Sequence, residues 1–99
     1  MEPLRISRFV TAGRTFQLKE PLIVNAEFDE GMWVYHSPLI NLWGYGARPE
    51  DALCDLHESF AYLWDEIALE QDELLDGSAI QVKRSLLDLV AGQPVATDA

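Results

Sequence analysis

Residues 26–53 read AEFDEGMWVYHSPLINLWGYGARPEDAL, and the fold turns on this stretch. Asp29-Glu30-Gly31 lies between two alternating apolar and polar runs, which is the chemistry of a tight hairpin. The return strand covers residues 32–36 and stops before Ser37-Pro38. Residues 39–43 (LINLW) predict a third strand, with an irregular loop over 39–46 as the alternative. Gly44 and Gly46 allow a close backbone approach or a positive φ at a sharp exit. Pro49 then suits the first helical position, and Glu50 and Asp51 stand at the positive end of the helix dipole.

Working outward, Leu53, Leu56, Phe60, Leu63 and Ile67 recur at 3-4-3-4 spacing, predicting an amphipathic helix over residues 49–75. Asp76-Gly77-Ser78 supplies a stop and a new cap at Asp76 or Ser78. A second helix follows over 79–91 and ends at Gly92 and Pro94. Toward the N-terminus, residues 5–12 and 14–18 alternate about Gly13 as a short hairpin. Residues 21–28 form a further strand, with Leu22, Val24, Ala26 and Phe28 pointing toward the helix. The expected architecture is α+β and two-layered: a small antiparallel sheet of three to five strands, packed by one long helix, with a shorter C-terminal helix. One domain over 1–92 and a frayed tail over 93–99 fit the 99-residue length.

The order hairpin, strand, glycine corner and helix start resembles the HicB-like antitoxin family over residues 20–70. That family carries a "G-x-T-x-E-E-A-L"-type helix start, matched here by Gly46-Ala47-Arg48-Pro49-Glu50-Asp51-Ala52-Leu53. Arg48 departs from the family's capping Thr or Ser, so this helix must be capped otherwise. The resemblance implies an interaction protein that neutralises a small basic RNA-cleaving toxin. Full-length relatives append a ribbon-helix-helix or helix-turn-helix after this core. Here Lys83 and Arg84 are the only bases beyond residue 76, too few phosphate contacts for DNA. Arg5, Arg8 and Arg14 are the remaining basic group, read as edge protection more readily than as a residual DNA contact.

Composition agrees with such a role. The formal net charge is −10, which repels nucleic acid and favours a basic partner. Ten acidic residues and no base lie in 50–76; a solvated helix face is the plainer reading of that run. A lone cysteine, Cys54, excludes an internal disulfide and fits a reducing, cytoplasmic setting. No apolar run reaches membrane-spanning length, and no signal-peptide core opens the chain. Catalytic, cofactor and metal sites are not expected. His36 with Asp29 and Glu30 across the hairpin is only a weak metal signal, His57 has no ligand partner at i+4, and Gly44-Tyr45-Gly46 lacks the ending of a phosphate loop. The carboxylate pairs lie on a helix face with no cleft to shift them.

The strand phases place Ile23, Trp33, Tyr35, Trp43 and Tyr45 on the sheet face away from the helix. An isolated two-layer domain is polar there, so this aromatic group is either the candidate interface or is buried by the N-terminal hairpin or the second helix folding over it. A one-residue slip in any strand would exchange its faces. Three readings follow: an antitoxin-like module masking a basic toxin; a partnerless homo-oligomeric scaffold, dimeric or larger; and an aromatic-lined pocket around Trp33 and Trp43. Residues 1–19 could complete the sheet of their own subunit or of another. RNA stacking on the face is disfavoured, because Arg48 is the only base between Glu20 and Lys83.

Overall fold

A computed structural model describes residues 3–11, 13–92 and 95–96. The chain is α+β. Four antiparallel strands, β1 (Leu4–Thr11), β2 (Arg14–Asp29), β3 (Met32–Ser37) and β4 (Leu42–Gly46), pair in sequence order. Helix α1 (Pro49–Leu63) and helix α2 (Gly77–Leu89) follow, and a short strand β5 (Val95–Ala96) pairs with β2 at Arg14 and Thr15. The frayed tail expected over 93–99 falls outside the described residues except at these two, which are in a strand.

The central hairpin forms as the sequence indicates. Asp29 pairs with Met32, and Glu30 and Gly31 both take positive φ (50° and 80°), as a two-residue primed turn requires. The two expected segments 14–18 and 21–28 are instead one bent strand. Pro21 is accommodated because the register slips there: Ile6 faces Leu22 and Arg8 faces Gln17, so Ser7 stands opposite residues 18–21. The Gln17 side-chain amide donates to the Ser7 carbonyl at 3.1 Å across this bulge.

The third strand is displaced by three residues from its expected position. Residues 38–41 make a turn closed by Asn41 N–H donating to the Pro38 carbonyl at 3.3 Å, with Asn41 at φ 51°. Asn tolerates this left-handed backbone better than most side chains. Pairing then runs from Ser37–Leu42 to Trp33–Gly46.

Helix α1 begins on Pro49 without a side-chain cap. The Arg48 carbonyl accepts from Asp51 and Ala52 N–H at 3.1 Å each, and the Arg48 guanidinium pairs with Asp51. The rod ends earlier than expected, near residue 68 rather than 75. Residues Trp64–Ala68 widen into a π turn that finishes with Leu69 N–H on the Trp64 carbonyl at 3.1 Å. A 3-10 turn, Asp72–Leu74, then leads to α2. Asp76 caps α2 by accepting from Ala79 N–H at 2.8 Å, which holds its carboxyl below the ordinary carboxylate range.

The buried stripe of the rod is Ala52, Leu56, Phe60, Ala61, Trp64 and Ala68, whereas Leu53, Leu63 and Ile67 are only half-buried. Phe60 stacks on Phe9 of β1 at 4.2 Å, and Phe16 of β2 packs edge-on against both Phe60 and Trp64. Truncating a fully buried ring such as Phe60 to Ala removes about 3–5 kcal/mol. Where the rod meets β4 there is no room for side chains at all. A Cβ on Gly44 would lie 2.5 Å from the Ala52 carbonyl oxygen, and one on Gly46 would collide with the Ala52 amide nitrogen. Gly44 and Gly46 therefore serve close approach, not positive φ.

Candidate interaction surface

Register fixes the two faces of the sheet, since residues directly paired across strands point the same way. Ala26 pairs with Tyr35 and Tyr35 with Gly44; Phe28 pairs with Trp33 and Trp33 with Gly46. All these lie on the helix side. The expected grouping of five residues is thus corrected: Trp33 and Tyr35 are one residue out of phase with it. Tyr35 is only 6% exposed and belongs to the core, while Trp33 packs at its margin against Phe28 at 5.3 Å. The outer face instead carries Met32, Val34 and His36 on β3, so a one-residue slip exchanges the faces of that strand. Ile23, Trp43 and Tyr45 stand where the sequence places them, on the outer face and exposed.

His36 enters this face without having been singled out for it. Its ring stacks on Trp43 with centroids 3.7 Å apart and planes 19° from parallel. Trp43 in turn lies nearly parallel to Tyr45 at 6.1 Å. Asn41 fixes one end of the ladder: its side-chain oxygen accepts from Trp43 Nε1 at 3.0 Å and lies 3.4 Å from His36 Nε2. Trp43 and Tyr45 remain 39% and 49% exposed. The signal available in the sequence was the pairing of His36 with Trp43 across a short hairpin, legible only once the 38–41 turn was placed.

One turn of α1 binds a backbone amide at each outer edge of the sheet. The Asp55 carboxylate accepts from Tyr45 N–H at 2.8 Å on the β4 edge. On the β1 edge, His57 Nδ1 sits 3.1 Å from Val10 N and 3.3 Å from Val10 O. Neutral imidazole with a bare Nδ1 accepts from the amide; a protonated ring can only donate to the carbonyl. Burial lowers the His57 pKa, and the Val10 hydrogen bond opposes that shift. Edge pairing with another chain is hindered at both points.

Every aspartate of the acidic run has a partner. Asp51, Asp65 and Asp72 are in ion pairs with Arg48, Arg14 and Lys83, and Asp55 and Asp76 bind backbone amides. The Arg14–Asp65 pair is bidentate at 2.8 Å, and it holds the Asp65 carboxyl below its ordinary range. Glu58 and Glu66 are left exposed on either side of Tyr62, which is 66% exposed at i±4 from both.

Among the described residues no three His, Cys, Asp or Glu side chains converge as a metal site, and no helix is long and apolar enough to cross a membrane. Trp33 and Trp43 lie on opposite faces of the sheet, so no pocket forms between them. His36 and Asp29 stand at opposite ends of the β2–β3 ladder. Comparison with protein-family models, with curated proteins and with solved structures returns no match.

Proposed function

We propose that this chain is a cytoplasmic, non-catalytic protein-interaction module. The carrying observation is the solvent-facing ladder of His36, Trp43 and Tyr45 on a sheet whose two outer edges each have an amide bound by α1. Trp and Tyr exposed side by side, held rigid by neighbours, are the residue types that dominate binding energy at interfaces. A second surface is the helical layer, where Tyr62 stands between the exposed Glu58 and Glu66. With a net charge of −10, this layer favours a basic protein by steering its approach. A small basic RNA-cleaving toxin, the partner implied by the HicB-like resemblance, has that chemistry.

The test is native mass spectrometry of the complexes the chain forms in its source cells. The expected result is a stoichiometric assembly containing a basic polypeptide, lost in the Glu58→Lys/Glu66→Lys variant. A chain that circulates as a free monomer, its Trp43 and Tyr45 open to covalent labelling, refutes the reading.

A further inference from the structure

The sheet's outer face differs from the rest of the molecule in charge. Arg5 and Arg8 of β1 lie on it, directly opposite Ile23 and Gln17 of β2. Neither arginine has an ion-pair partner among the described residues. Glu27 and Asp29 lie on the same face, opposite Val34 and Met32. Two cations and two carboxylates balance there, whereas Glu58 and Glu66 project from the opposite, helical side. A basic partner therefore gains nothing from this face, and its two free guanidinium groups oppose one.

The layout is self-complementary. Arginines mark the β1 side, the Trp43–Tyr45 ladder marks the β4 side, and Asn25 and His36 lie between them in one cross-strand row with Trp43. A two-fold axis lying in the interface plane, running roughly along the strands between β2 and β3, lays β1 of each copy over β4 of the other. We infer that the occupant of this face is a second copy of the chain, packed sheet to sheet, with Arg5 of each copy laid over the Trp43 ring of the other. Guanidinium over indole is a favourable stacking and cation–π arrangement, and an isologous interface makes it twice. The arrangement also turns both acidic helical layers outward, away from one another and free for a basic protein. The amides bound at Val10 and Tyr45 hinder strand addition at those two points and favour the face for self-association.

This assignment rests on the docking reading above, and the experiment separates their failures. Sedimentation equilibrium of the purified chain at physiological salt is expected to show a reversible dimer. Arg5→Ala and Trp43→Ala should each weaken it by about tenfold or more, with circular dichroism unchanged because both side chains lie on the surface. The Arg5→Ala/Trp43→Ala double variant should lose less than the sum of the two single changes, and Glu58→Lys/Glu66→Lys should leave the dimer intact. A monomer at all concentrations overturns the dimer alone, since a different protein could still occupy the face. A dimer indifferent to Arg5 and Trp43 likewise overturns the sheet-to-sheet pairing, whereas failure of the docking reading itself shows in cells, as a chain with Trp43 and Tyr45 open to labelling.

Discussion

Replacing Gly44 with Ala tests how closely α1 rests on the sheet. The added methyl carbon would sit 2.5 Å from the Ala52 carbonyl oxygen, 2.8 Å from the Leu56 amide nitrogen and 2.9 Å from the Leu56 Cβ. Two of these neighbours are helix backbone, so relief requires moving α1, not rotating a side chain. Overpacking of this kind costs about 1–3 kcal/mol, and a rigid neighbour places the cost at the upper end. Removing a strand glycine returns about 0.5–1 kcal/mol of backbone entropy. The net expectation is a loss of about 2 kcal/mol. Unfolding entropy of about 2.1 cal/mol/K per residue gives about 0.2 kcal/mol/K for 99 residues, so the midpoint should fall by about 10 °C. Thermal melts followed by circular dichroism would measure this. Gly77→Ala is the control, because nothing lies within 4 Å of its added Cβ and it opens a helix, where Ala is favoured. A Gly44→Ala protein melting with the wild type would refute direct helix-on-strand contact.

Two further outcomes follow from buried polar groups. The Ser37 hydroxyl is fully buried and its oxygen has no hydrogen-bond partner among the described residues, so Ser37→Ala should leave stability unchanged or raise it by up to about 1 kcal/mol, measured by urea denaturation. Acid should act in two stages. His57 has a folded pKa below its ordinary 6.5, so its contribution is complete above that pH and is lost as pH falls through the lower folded value. The Asp65, Asp72 and Asp76 contributions are complete above about 3.8 and lost as pH falls through their depressed values. His57→Gln should abolish the first stage in a pH series of melts and keep the second; a first stage that survives the change refutes the assignment.

The fold class was legible because its signals are local. Asp29-Glu30-Gly31 dictates a primed turn, Pro49 a helix start and Asp76 a cap, whatever the surroundings. What escaped depends on tertiary partners. Leu63 and Ile67 satisfy the helical period as well as Trp64 and Ala68 do, and only the position of Phe16 decides which pair turns inward. Pro21 reads as a strand break until Ser7 is seen opposite it. The outer face was half legible for the same reason. β4 was phased correctly at Trp43 and Tyr45, but β3 offers apolar side chains on both faces, and its phase is set by Gly44 opposite Tyr35. A glycine has no side chain to reveal which way its strand faces.

The placement of Asp55 and His57 has a consequence for how this protein would fail. One helical turn guards both ends of the sheet, so any fluctuation that peels α1 away bares two strand templates together. Heat or acid sufficient to release the rod should thus carry the chain toward fibrillar aggregates, and ligands that pin α1 should delay their onset.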